Sequence, residues 1–116
     1  MDIIGIRDKL RDFAAKRNWE QFHSPKNLSM ALAAEAAELL EIFQWLTEEQ
    51  SQNIKESEED MALVREEIAD VFIYLVRLAD KLNVDIEEAA LEKIKTNEKK
   101  YPVKLSKNSA AKYNRR

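Results

Sequence analysis

Four acidic residues of the 116-residue chain stand in two matched pairs, Glu35 with Glu38 and Glu67 with Asp70, each three residues apart. On a helix, such partners lie on adjacent faces of one turn. An isolated acidic pair of this kind usually points to solvent. Glu35, however, interrupts an apolar seam of Leu28, Leu32, Leu39, Ile42 and Leu46 that steps by four and three residues. Glu67 and Asp70 belong to a line Leu63, Glu67, Asp70, Tyr74 that runs beside a core seam of Val64, Ile68, Val71 and Leu75. Two helices packed antiparallel would bring the pairs face to face. Unpaired carboxylates in a bundle interior repel and are poorly solvated, so they demand protons or cations. Oxygen-only ligands suit a hard cation, Mg²⁺, with Mn²⁺ as a substitute. Mg²⁺ keeps several waters and shares its shell with phosphates, which makes a nucleotide–metal complex the natural ligand. A di-iron site needs Glu-x-x-His on the helices, and the sole histidine, His23, falls in the first loop.

Other residue types fit that ligand. Trp19 and Trp45 flank the helix that bears Glu35 and offer flat faces for stacking a base. His23 can donate to a base or sugar. Lys93, Asn97 and Lys100 recur at four and three residues and form one polar face able to approach phosphates. The last stretch carries Lys104, Lys107, Lys112, Arg115 and Arg116 without an acid, a basic tail over 104–116 following a helical domain over 1–103.

The elements that must position these groups read as helices throughout. One Gly and two Pro argue against a turn-rich β architecture. Ile3, Ile6, Leu10 and Phe13 predict a first helix over 2–17. Ser24-Pro25 has the look of an N-cap followed by proline at the first helical position, with Asn27 as the alternative cap, and the second helix is expected to run to about Leu46. Thr47 to Glu58 is polar and predicts a loop or a short helical turn. A third helix spans Glu59 to Leu82. Asp85 with Glu88 opens a fourth, which ends before Pro102. The expected fold is an all-α four-helix bundle. Val71 to Val76 is apolar all round the third helix, which demands cover on every side and predicts a homo-oligomer with this helix at a subunit interface. The net charge of −3 gives no footprint for polymeric nucleic acid. No segment reads as a signal peptide or membrane span, and the absence of Cys is compatible with the cytoplasm.

The ordered residues resemble the MazG-like all-α nucleotide pyrophosphohydrolases, whose signature is ExxE followed by ExxD. The likeness is stronger to the dCTP pyrophosphatase branch: Trp19-Glu20-Gln21-Phe22-His23-x-Pro25-x-Asn27-Leu28, Glu38-Leu39-x-Glu41-x-Phe43-Gln44-Trp45, Glu66-Glu67-x-x-Asp70-Val71-x-Ile73-Tyr74-Leu75-Val76, Lys93 to Asn97, Tyr101-Pro102 and Lys112-Tyr113. The resemblance implies a bundle assembled as a dimer of dimers, a homotetramer. It implies Mg²⁺ held by Glu35, Glu38, Glu67 and Asp70, and a base pocket lined by Trp19 and Trp45 with His23 nearby. Tyr74, Lys93 and Asn97 would touch triphosphate or sugar, and Lys100 would offset phosphate charge. The expected reaction is hydrolysis of a (d)NTP to monophosphate and pyrophosphate, with Glu38 or Glu41 as the base and pool cleansing as the role. Within the superfamily, dUTP and other triphosphates are alternative substrates. A helical nucleotide-binding sensor or adaptor without turnover is the alternative outside enzymes.

Overall fold

The computed structural model describes residues 1–115; Arg116, the last residue of the basic tail, lies outside the described residues. Six α-helices follow in order: α1 (Ile3–Lys16), α2 (Pro25–Phe43), α3 (Glu48–Gln52), α4 (Glu58–Lys81), α5 (Ile86–Lys100) and α6 (Val103–Ser106). Short 3₁₀ turns occupy Glu20–Phe22, Ile54–Glu56 and Tyr113–Arg115. There is no strand among the described residues. The four long helices are the four expected; α3 and α6 are additions in the polar connection and the tail.

The helix ends follow from local chemistry. At α1, the Asp2 carboxylate accepts from the Gly5 amide at 2.8 Å, and a Cβ on residue 5 would collide with that carboxylate. The other end of α1 stops at Asn18, whose φ of 55° is left-handed. Asparagine tolerates that conformation better than other non-glycine residues, so a chain with one glycine can still close its helices. The Asn18 amide donates to the Ala15 carbonyl at 3.1 Å and the Trp19 amide to the Ala14 carbonyl at 2.9 Å, a Schellman closure. Asn83 ends α4 with the same φ, 55°. Ser24 caps α2 as expected, its hydroxyl accepting from the Asn27 amide at 3.1 Å, with Pro25 first in the helix. Asp85 caps α5 by accepting from the Glu88 amide at 3.0 Å.

One boundary differs from expectation. The second helix stops at Phe43 rather than near Leu46, because a new helix, capped by Thr47, starts at Glu48. There the Thr47 hydroxyl accepts from the Gln50 amide and the Gln50 side chain accepts from the Thr47 amide. This reciprocal cap satisfies two otherwise orphaned donors and leaves Gln44 and Trp45 in a turn.

Two compact units divide the chain, Met1–Asn83 and a second that starts at Val84. In the first, α4 is the central helix and packs most extensively on α2 and then on α1. Ala14, Leu28, Val64, Val76 and Ala79 are its buried apolar side chains. The expected seam on α4 is only partly covered: Val64 is buried, but Ile68 and Leu75 remain 53% and 38% exposed. Burial passes instead to Val76, Arg77 and Ala79, where α1 also reaches α4. No helix among the described residues is long and apolar enough to cross a membrane.

Candidate metal centre

The packing of α2 on α4 brings together Glu35, Glu38 and Glu67, each of which offers an oxygen within 4.8 Å of the other two. Glu35 and Glu67 are half-buried, whereas Glu38 lies at the exposed edge. One oxygen of Glu35 and one of Glu67 are sealed from solvent with no hydrogen-bond partner among the described residues. Orphaned carboxylate oxygens of this kind are costly in an apo chain. The Glu35 carboxyl is pushed up to about 7, first by burial, then by the adjacent Glu38 carboxyl, with Asp70 and Glu67 adding repulsion. Burial and then the charge of Glu38 raise Glu67 as well. Asp70 stands outside the close trio, but its charge acts on both Glu35 and Glu67. The donor set is all oxygen, close and short of cations, and so fits a hard divalent metal.

The supporting residues fall at different distances from this trio along the chain. Glu41 is exposed on α2, one turn beyond Glu38. Tyr74 is half-buried on α4, one turn beyond Asp70. Trp45 occupies the turn after α2 and is 86% exposed, an unusual setting for a tryptophan with no ligand or partner to cover it. The Schellman closure of α1 throws Trp19 back onto Phe13, ring centroids 5.7 Å apart edge to face. Trp19 also meets His23 edge-on, with centroids 6.3 Å apart. In the second unit, Lys93 and Asn97 are exposed on α5, and the Lys100 ammonium lies 5.0 Å from the centroid of the Tyr113 ring.

Sequence reading overlooked one cluster. Arg77, only 4% exposed, ties the first loop to α4. Its Nε donates to His23 Nδ1 at 3.1 Å, and its other nitrogens reach Glu20 and, at 3.4 Å, Asp80. Lys81 also pairs with Glu20. Asp80 accepts from Arg11 Nε at 2.8 Å, which links α1 to the same network. Hydrogen bonding to Arg11 holds the Asp80 carboxyl below its usual range, and pairing with Lys81 and Arg77 does the same for Glu20. The signal was present: the line Leu63, Glu67, Asp70, Tyr74 continues in the same steps of three and four to Arg77 and Lys81.

A helical chain with a carboxylate trio between two packed helices, its donor set suited to a divalent cation, defines the class, and comparison specifies the family. The MazG-like family pattern matches residues 30–115, and the chain belongs to that family. It is 47% identical over 108 residues to dCTP pyrophosphatase 1 of Bos taurus and 44% identical over 108 residues to that of Homo sapiens. Both alignments cover 93% of this chain but 64% of the relative, so the chain spans somewhat under two thirds of the length of these relatives. Among solved structures, a pyrophosphatase from Archaeoglobus fulgidus superposes with a TM-score of 0.81 at 41% identity. That match covers 88% of this chain and 94% of the archaeal one.

Proposed function

We propose that the chain is a metal-dependent nucleoside triphosphate pyrophosphohydrolase. It converts a (d)NTP and water into monophosphate and pyrophosphate, prefers dCTP or a modified dCTP, and cleanses the cytoplasmic nucleotide pool. The observation that carries this reading is the meeting of Glu35, Glu38 and Glu67 with two buried carboxylate oxygens left unpartnered. Relatives named dCTP pyrophosphatase over 93% of the chain supply the substrate class.

Glu35, Glu38, Glu67 and Asp70 are the residues that would hold Mg²⁺, or Mn²⁺ in its place. The metal, when bound, neutralises charge on phosphate oxygens. Glu38, exposed at the edge of the trio, or Glu41 one turn on takes a proton from the attacking water. The new bond joins that water oxygen to the α-phosphorus, and the bond to the α–β bridging oxygen breaks, so that pyrophosphate leaves with the electron pair. Trp19 and Trp45 provide faces for the base, and His23 provides a hydrogen bond. Tyr74, Lys93, Asn97 and Lys100 serve the sugar and triphosphate. Residues 1–103 form the catalytic domain, with the basic tail beyond it. The exposed apolar side chains Ile68 and Leu75 of α4 are covered by further copies in a homotetramer, a dimer of dimers.

The test is incubation of the protein with single (d)NTPs and Mg²⁺, followed by separation of products. Monophosphate and pyrophosphate, both lost on chelation, are expected, with dCTP or a modified dCTP turned over fastest. A fastest rate on dUTP would move the substrate within the superfamily. Diphosphate and phosphate as products would refute the reaction, and binding without turnover would make the chain a sensor.

A further inference from the structure

The loop between α1 and α2, residues 17–24, is held to α4 by charge and not by apolar burial. His23 is its one half-buried residue; the others are exposed. Part of its bonding is local: Gln21 Nε2 donates to the Asn18 carbonyl at 2.9 Å, and Asn27 Nδ2 of α2 donates to the Phe22 carbonyl at 3.0 Å. Among the described residues, every hydrogen bond and ion pair that joins the loop to α4 runs through Arg77 or Lys81. The Lys81–Glu20 pair is partly exposed, a setting in which ion pairs contribute little. Arg77 is almost wholly buried. A guanidinium cannot shed its charge on burial, so Arg77 depends on its acceptors. These are His23 Nδ1 at 3.1 Å, Glu20, and Asp80 at 3.4 Å. Two of the three belong to the loop.

We infer that Arg77 is a positioning residue, a buried latch that holds the first loop on α4 while His23 is neutral and releases it when His23 takes a proton. An imidazole accepts at Nδ1 only while that nitrogen carries no proton. Protonation there removes the acceptor and sets a second cation against the guanidinium. The join between α1 and α4 does not share this weakness, because Arg11 Nε donates to Asp80 at 2.8 Å independently of the loop. The latch therefore frees the loop and leaves the helices packed.

The charges around the ring set the direction. Arg77 and Lys81 of α4 and Glu20 of the 3₁₀ turn act on His23, while Arg11 of α1 is engaged by Asp80. Burial first, then Arg77, hold the imidazole below its usual 6.5 against the opposing pull of Glu20, with Lys81 adding to the depression. A depressed value in the folded state means that the contribution is complete above 6.5 and is lost as pH falls through that lower value. Glu20 and Asp80 are themselves held below the usual carboxylate range, so both stay charged across this window. His23 is the group that opens the latch.

Hydrogen exchange on the full chain in EDTA, without nucleotide, reads the loop directly. The Phe22 amide donates to the Trp19 carbonyl at 2.8 Å and the His23 amide to the Glu20 carbonyl at 3.2 Å, so both report the 3₁₀ turn. Protection factors, which divide out the pH dependence of chemical exchange, should fall about tenfold or more in this turn between pH 7.5 and pH 5. Protection in α1 and α4 should hold. The chain has a single histidine, so its ring proton shift gives one titration, and the two midpoints should coincide. Loop protection that ignores pH, or that changes with a midpoint unlike that of the ring, would overturn the switch.

Arg77→Met should leave the turn unprotected at both pH values, and Arg77→Lys, which keeps a charged donor, should restore part of the protection. Wild-type protection in Arg77→Met would overturn the latch. His23→Gln offers an acceptor oxygen that does not titrate, so the loop should stay held and the pH step should vanish; a step that persists would overturn the role of His23 even if Arg77→Met fails to fold. The consequence for substrate rests on the nucleotide reading above, since the loop carries Trp19. Arg77→Met should raise KM for dCTP and dUTP alike, by about fivefold, with kcat largely kept. A released loop with unchanged KM would overturn that consequence. A chain that turns over no nucleotide yet shows the pH step would refute the hydrolase reading alone.

Discussion

Replacing Glu35 with glutamine should stabilise the metal-free protein while weakening its hold on Mg²⁺. The carboxyl is raised from 4.5 to about 7 by burial and by Glu38, Asp70 and Glu67. In the folded state it binds its proton more tightly than in the unfolded chain, so it costs stability as it ionises. The sign follows: the apo protein is more stable below the usual carboxylate range, and that stability is lost as pH rises towards about 7. A displacement of that size corresponds to about 3 kcal/mol at the upper limit. Glu35 is half-buried, with one oxygen sealed and the site edge open at Glu38, so solvent screening leaves about 1–2 kcal/mol. An amide there carries no charge, and its NH₂ can donate to a neighbouring carboxylate.

The assay is thermal and urea unfolding in EDTA at pH 8 and pH 5, at one fixed protein concentration because any self-association would contribute to stability. At pH 8 Glu35→Gln should raise Tm by about 4–8 °C, and at pH 5 most of that gain should vanish. Added Mg²⁺ should stabilise the wild type more than the variant, since only a ligand that binds the folded state shifts the balance. A variant destabilised at pH 8 in EDTA would refute the claim that Glu35 is electrostatically strained. Equal effects at both pH values would refute it too, by showing that the gain has nothing to do with ionisation.

Glu38→Gln and Asp70→Asn should each lower kcat at least about 100-fold with helical circular dichroism unchanged; retained turnover would remove these residues from the centre. Trp45→Ala should leave stability within about 0.5 kcal/mol, as befits a side chain 86% exposed. It should raise KM for dCTP about tenfold, in line with the loss of one stacking contact. Ile68→Asp, at a site 53% exposed in the single chain, should yield a smaller particle by light scattering. An unchanged mass would refute the role of this face in self-association.

The candidate metal-holding residues were more legible than the residues that pack around them. Glu35 stood out because it broke an apolar seam, and a periodic pattern exposes such a break without any knowledge of tertiary structure. The helix starts were equally plain, since Ser24 and Asp85 cap by contacts three residues away. What stayed hidden was long-range in sequence: Arg77 meets Glu20 and His23 across more than fifty residues, at separations of 57 and 54. An arginine on a helix reads as surface, because charged side chains are seldom buried without partners. Its partners here lie in a loop whose course depends on how α1 ends. That end depends in turn on Asn18 adopting the left-handed conformation. Once the turn is made, Trp19 packs on Phe13 and Glu20 and His23 follow it towards α4. The same logic explains the misplaced seam on α4. Periodicity identifies which face is apolar, but within that face burial goes to the residues another helix reaches. In the single chain α1 covers α4 near Ala79, while Ile68 and Leu75 stay open, so a periodic apolar face overstates the core that the single chain buries.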